Sequence, residues 1–367
     1  MKVLVAPDKF AGTLSAPEAA TAIAEGWRRT APDDRLTLAP MADGGPGFMG
    51  VLHQALGGDV SVVTVDGPWG DPAPVSLLRV GDTVYLESAQ ACGLHLGRGG
   101  DADRATTLGV GQAVLAAVES GARHVVVGLG GSATTDGGAG LLAGLGAVAD
   151  VPLGAGPHGL EGITRVDLAP ALRRLRGVTL TAATDVDSVL LGMFGAARTF
   201  GPQKGLDDAA ILVVDRQLDA FVDVVCGPTP AERRVADRPG AGAAGGLGFA
   251  LLLLGAEVTS GIGLVAEHTG LADLVATHDL VLTGEGSYDY SSRAGKVVFG
   301  VARVAAELAR PCVVLAGRVD VGSREMRAMG VESAYGVVDL VGEEPAMSHP
   351  ARSLQALGAR VARTWSH

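Results

Sequence analysis

The sequence predicts an α/β protein of two domains, with one large domain as the alternative, and three observations lead there. At 367 residues the chain exceeds what a single compact core usually holds. Hydrophobic residues make up 47% of it, aromatics only 4%, and there are 55 glycines, so the interior is aliphatic and the backbone turns often. Short apolar runs alternate with helically periodic stretches at both chain ends, whereas the segment from about residue 60 to 87 alternates with a period of two.

Val3–Ala6 is an apolar run closed by Pro7, which reads as a strand and then a polar loop; Ala16–Thr30 repeats at helical spacing, with Pro17 where a helix start tolerates it. Leu36–Ala39 is a second strand, ending at Pro40-Met41-Ala42-Asp43-Gly44-Gly45, and Gly47–Leu56 continues as a helix. From Val60 to Glu87 the turn-rich segments VSVVTVDG, APVSLLRV and DTVYLES read as antiparallel strands, where a second domain begins. Helix Thr107–Ser120, strand His124–Gly128, loop Gly130–Gly138 and a small-residue helix through Ala147 come next, followed by strand Thr179–Ala182. The polar stretch Gly227–Pro239 is the linker candidate, and Gly240–Leu254 is expected to form a Gly/Ala-rich helix. Strand Asp279–Thr283, loop Gly284–Lys296, a helix and strand Pro311–Ala316 make the last third doubly wound α/β.

The net charge of −11 and the lack of any Lys/Arg run exclude a nucleic-acid surface, so a bound anion must be held locally by a few cations and backbone N–H groups. Three widely spaced cysteines, Cys92, Cys226 and Cys312, form neither a disulfide framework nor a zinc motif, which gives a cytosolic expectation. The start MKVLVAPD lacks the pattern of a leader, and the apolar stretch Phe249–Ala256 is too short to span a bilayer. The reading is a cytoplasmic protein without a membrane partner; a homo-oligomer stays open.

Five loops share one design, an apolar strand end followed by Asp, Gly, Ser/Thr or Lys before a helix, which is where open α/β sheets bind ligands. They are Pro7–Thr13, Asp43–Gly45, Gly130–Gly138, Thr184–Asp187 and Gly284–Asp289. Taken singly, Asp-Gly-Gly is also an ordinary tight turn and Asp185 and Asp187 are also helix caps; the small residues of 130–138 point more specifically to close approach by a phosphate or carboxylate. Lys204 and Lys296 sit beside glycines, although a lone lysine is most often just a surface group. Gly128–Ala133 fits GxGxxA and Gly240–Gly245 fits GxGxxG, but neither has the strand-to-helix context of a dinucleotide site. There is no Walker A pattern, no HExxH and no GxSxG.

Together the loops resemble one family, the bacterial glycerate kinases of the glycerate 2-kinase type. The resemblance runs in order through VLVAPDKFAGTLSA, PMADGG, ESAQACGL, ATTLGVG, GLGGSATTDGGAG, TDVDS, FGPQKG, GAGAAGGLG and TGEGSYDYSSRAGK. The chain departs from the family pattern at three places. Ala11 stands where PDSFKGS has a second basic residue, Pro46 replaces the Glu of DGGEG, and Ser287 stands where Arg is frequent.

The resemblance implies a Rossmann-like domain built from both chain ends, 1–65 plus 285–367, with a mixed α/β domain, 66–284, inserted between them. It further implies phosphoryl transfer from ATP, with Mg²⁺, to D-glycerate, the 2-position following from the resemblance alone. Such transfer needs in-line positioning, neutralised charge and a group that takes the hydroxyl proton. Asp185 or Asp8 is the candidate base, with Lys9 beside it, and Asp187 and Asp289 are candidate Mg²⁺ ligands. Lys9, Lys204 and Lys296 would face phosphate or carboxylate oxygens. Ser132, Thr134 and Thr135, with the N–H groups of Gly130 and Gly131, would cradle an anion; Asp43, Gly44 and Glu285 complete the binding set. The rival readings are a nicotinamide-dependent oxidoreductase using the GxGxxA fragment and a non-catalytic sensor of hydroxy acids on the same fold.

Overall fold

The computed structural model describes residues 1–97, 101–289 and 296–366. Packing divides the chain into two compact units, Met1–Asp43 with Gly50–Leu56 and Ile262–His367, and Gly44–Met49 with Gly57–Gly261. In chain order, β1 (Lys2–Val5) and β2 (Arg35–Leu38) open the first unit, and β3 (Asp59–Asp66), β4 (Pro72–Val80) and β5 (Thr83–Glu87) open the sheet of the second. Then follow β6 (His124–Gly128), β7 (Val148–Ala149), β8 (Val166–Asp167), β9 (Thr179–Ala183) and β10 (Glu257–Thr259). The last third adds β11 (Leu280–Thr283), β12 (Ser287–Tyr288), β13 (Cys312–Ala316), β14 (Arg318–Val319) and β15 (Ser333–Gly336).

The first unit is a five-stranded parallel sheet in the order β15-β13-β11-β1-β2. Counted within the unit this is 2-1-3-4-5, a doubly wound order whose switch point lies between β1 and β11. The strands of the centre are buried on both faces, and Val3, Val5, Leu280, Leu282, Val313 and Leu315 share one core with the helices Ala16–Thr30 and Pro350–Trp365. The first of these helices starts at a Ser15/Glu18 capping box and buries Ile23 and Trp27; the Trp27 indole donates to Asp34 at 2.8 Å.

The second unit carries a six-stranded sheet, β10-β9-β6-β5-β4-β3, in which β5, β6, β9 and β10 run parallel and β3, β4 and β5 pair antiparallel. Its core joins Leu86, Val125 and Val127 to the helices Leu108–Glu119, Asp208–Cys226 and Ala243–Leu253. Among the described residues no helix is long and apolar enough to cross a membrane.

Three expectations are corrected. Strand β11, which a boundary near 285 puts in the inserted segment, lies between β1 and β13 in the first sheet. The stretch 227–239 is not a linker between units: it lies inside the second, as a 3₁₀ turn (Glu232–Val235) whose Arg233 pairs with Asp219 and Asp223 of the preceding helix. The expected helix 240–254 is regular only in its second half, because Ala244, Gly245 and Gly246 have φ of 51°, 71° and 96°. The cause is close packing, since a Cβ at Gly245 would run into the carbonyl of Thr134.

Candidate functional site

In the first unit the loops after β1, β2 and β11 are tied together at the switch point. Asp8 N donates to Gly284 O at 2.8 Å, and Met41 N to Pro7 O at 2.9 Å. This gathers Asp8, Lys9, Asp43, Glu285 and Lys296. The Lys9 ammonium lies 3.7 Å from Asp8 and 3.6 Å from Asp43, and Lys296 lies 3.8 Å from Glu285. These separations exceed a direct hydrogen bond and make the pairs electrostatic contacts.

Asp8 is buried, and burial is the main reason its carboxyl is pushed from 3.8 up to about 7; Lys9 opposes the shift, while the carboxylates of Asp43 and Glu285 add to it. A carboxylate that is half protonated near neutrality is suited to accepting a proton in a reaction. Its Oδ1 already accepts the backbone N–H of Lys9 at 2.7 Å, which fixes the side chain in place.

In the second unit the loop after β6 carries Gly130–Gly138. Asp136 at its centre is fully buried and accepts hydrogen bonds from Thr107 N and Oγ1, both at 2.8 Å, from Gly138 N at 3.0 Å and from Gly140 N at 3.2 Å. Burial raises its pKa and these donors oppose the rise. The effect is to hold the loop rigidly against the start of helix Leu108–Glu119.

Lys204, on the 3₁₀ turn Pro202–Lys204, is buried and donates to Thr134 O at 2.5 Å and Ser132 Oγ at 3.2 Å. Desolvation brings its ammonium down to about 8, with Asp136 acting against the shift. Cys92 nearby stays a thiol, pushed up to about 12 by burial. Thr135 Oγ1 is buried with no hydrogen-bond partner among the described residues, a polar atom that a ligand or water can satisfy. The Lys204 ammonium on its 3₁₀ turn thus meets the hydroxyls and small residues of the 130–138 loop in a buried setting.

Gly44 and Gly130 are there for space as well: a Cβ on Gly44 would sit 2.6 Å from Ala183 O, and one on Gly130 2.7 Å from Gly45 Cα. Asp185, after β9, accepts the Ser260 hydroxyl at 2.6 Å from the end of the neighbouring strand. Asp187 is exposed, and Asp289 accepts from Ser287 at 3.4 Å. Residues 290–295 of the last candidate loop lie outside the described residues.

Two residues of the site escape the sequence-based set. Asp136 is the acceptor that organises the anion loop, and its only local signal is the Asp-Gly-Gly turn. Glu87, buried at the end of β5, accepts from Gly47 N at 3.0 Å and Met49 N at 3.4 Å, at the start of helix Phe48–Leu56. Neither dinucleotide fragment builds the strand-turn-helix it needs. Gly128–Ala133 leads into the Asp136 loop, with no helix before Ala139, and Gly240–Gly245 is the kinked segment against Thr134.

Comparison with known proteins bears on the chain as a whole. The model of the glycerate kinase family matches residues 3–366. The chain is 38% identical to a protein named glycerate 2-kinase from Escherichia coli K12, over 93% of this chain and 92% of that one. It is 37% identical to a protein named glycerate kinase from Halalkalibacterium halodurans, over 92% and 90%, and 43% identical to an uncharacterized protein of Mycobacterium bovis, over 99% and 91%. A crystal structure of a protein assigned as glycerate kinase 2, from Salmonella typhimurium LT2, superposes with a TM-score of 0.79 at 33% identity, covering 99% of this chain and 98% of that one. With a family match over nearly its whole length and relatives above 30% identity at that coverage, the chain belongs to the glycerate kinase family.

Proposed function

We propose that this protein is an ATP-dependent kinase that phosphorylates D-glycerate on its 2-hydroxyl, giving 2-phospho-D-glycerate and ADP. Family membership supports the reaction class, and the relative named glycerate 2-kinase supports the position. The observation that carries the chemistry is Asp8, a carboxyl brought to about 7 at the sheet's switch point, with Lys9 and Lys296 on the same loops. The substrate oxygen forms a bond to the γ-phosphorus, the bond from phosphorus to the β–γ bridging oxygen breaks, and Asp8 takes the hydroxyl proton. Lys9 and Lys296 stabilise charge on phosphate oxygens, with Asp43 and Glu285 holding them in position.

Asp8 is preferred over Asp185 as the base because burial raises its carboxyl to about 7. Asp185 is given a substrate-orienting role through its bond with Ser260. In the second unit, Lys204, Ser132, Thr134, Thr135 and the N–H groups of Gly130 and Gly131 bind the anionic end of a substrate. Mg²⁺ is proposed to enter with the nucleotide, since it favours phosphate oxygens, water and one or two carboxylates. Among the described residues no three His, Cys, Asp or Glu side chains form a metal set, which suits an ion carried in by phosphates. Asp289 in the first unit or Asp187 in the second is its proposed carboxylate; both retain access to solvent. A cytoplasmic location belongs to the same proposal, in line with three unbridged cysteines.

The test is ADP release with D-glycerate, ATP and Mg²⁺, with phosphorus NMR of the product. Glycerate-dependent ADP and phosphate on the 2-oxygen are expected. Folded protein that releases no ADP would instead favour the hydroxy-acid sensor.

A further inference from the structure

A cavity of about 300 Å³ opens at the C-terminal edge of the first unit's sheet. Residues just beyond β1, β11, β13 and β15 all line it, so it runs outward from the switch point along the strand ends. Its walls are apolar: Phe10, Val337 and Leu354 are buried, and Met347, on helix Glu343–Ser348, is 63% exposed beside them.

Two of its loops also carry the charged cluster. Asp8 and Lys9 immediately precede Phe10 and Ala11, and Glu285 precedes Gly286 and Ser287. A single ligand can therefore place an anionic end at the cluster and an uncharged end in the cavity, since successive Cα atoms are about 3.8 Å apart. Ala11 and Ser287, which line this cavity, present small neutral side chains to it. The cation in its lining is Arg318, which lies opposite Ser287 in the β12–β14 pair and is neutralised by Glu343 at 3.0 Å. Among the described residues of the lining, free phosphate or glycerate would find no net positive charge, whereas a flat, uncharged heteroaromatic ring would find apolar walls and backbone edges.

We propose that this cavity seats the base and ribose of the nucleotide substrate, with the phosphates leading back to Lys9 and Lys296. The inference rests on the phosphotransferase reading. The volume is at the lower end for small-molecule pockets, enough for a nucleoside while the phosphates lie outside.

The test uses ADP, inorganic tripolyphosphate and two variants, measured by calorimetry without glycerate and by steady-state kinetics. Ala346→Trp fills the cavity from the helix side, and Met347→Ala removes an exposed wall. Ala346→Trp is expected to weaken ADP binding and raise KM for ATP at least tenfold. KM for glycerate, kcat at saturating ATP and tripolyphosphate binding should stay within twofold. Met347→Ala should weaken ADP binding about threefold, and it decides the matter if Ala346→Trp does not fold. ADP binding unchanged in both folded variants overturns the cavity assignment, even if glycerate is phosphorylated normally. Weakened ADP binding in a protein that never phosphorylates glycerate upholds the cavity and removes the acceptor. A wild-type chain that binds no ADP overturns both.

Discussion

The two charged clusters are built on opposite principles. In the first unit, Lys9 and Lys296 lie 3.6–3.8 Å from their carboxylates, and both lysines keep partial solvent access. In the second, Lys204 and Asp136 are buried and make direct hydrogen bonds to a glycine-rich loop. On the proposed function, the first cluster would take part in the reaction, and the second, already fixed by its buried hydrogen bonds, would bind without rearrangement. Chemistry is therefore expected to fail on changes in the first cluster, and binding or stability on changes in the second.

The largest effect should come from Asp8→Asn, a loss in kcat of roughly 10²–10⁴-fold, the usual contribution of a general base. Near-normal turnover would pass the role to Asp185, for which Asp185→Asn is the matching measurement. In the wild type, kcat/KM should rise with pH through about 7, and the variant should lose that rise. The stability effect has the opposite sense. Because the folded-state value lies above 3.8, the native protein holds this proton more tightly than the unfolded chain, so stability from this group is complete below about 4 and is lost as pH rises to about 7. Asp8→Asn should accordingly raise the Tm at pH 8, and the gain should vanish near pH 4.

A smaller effect is expected from Lys204→Met, about 10–100-fold in kcat/KM, the scale of a charge-assisted hydrogen bond. Its Tm should change little, because relieving the desolvated ammonium offsets the hydrogen bonds lost. A large fall in Tm with normal KM values would make Lys204 purely structural and break the contrast between the units. Asp136→Asn should act mainly on stability, by about 1–3 kcal/mol in denaturant titration, since an amide cannot serve all four donors. The smallest change is Ser15→Ala, far from both clusters, at about 1 kcal/mol with normal kinetics.

Local patterns made much of this architecture legible. Strand ends followed by Asp, Gly and Lys marked the loops that hold Asp8, Asp43, Ser132 and Glu285, because a buried strand and a ligand loop leave composition signals within a few residues of each other. What could not be read depends on distant partners. Strand β11 joins β1 across some 280 positions, and no local periodicity assigns it to one unit or the other. Asp136 looks like a turn residue until Thr107, from another loop, is placed against it. Lys204 looks like a surface lysine for the same reason. The break at Ala244–Gly246 was hidden because an apolar, glycine-rich run has helical periodicity whether or not its φ angles are negative.

The placement of β1 has a consequence for biosynthesis. This strand is made before both of its neighbours, and one of them, β11, follows it by some 270 residues. At about 5–20 residues per second, β1 waits on the order of tens of seconds with only β2 available to pair with it. The segment 57–261 has all six strands of its own sheet by then. Nascent chains should thus mature from the middle outward, and the exposed edge of β1 is the feature a ribosome-associated chaperone would have to shield.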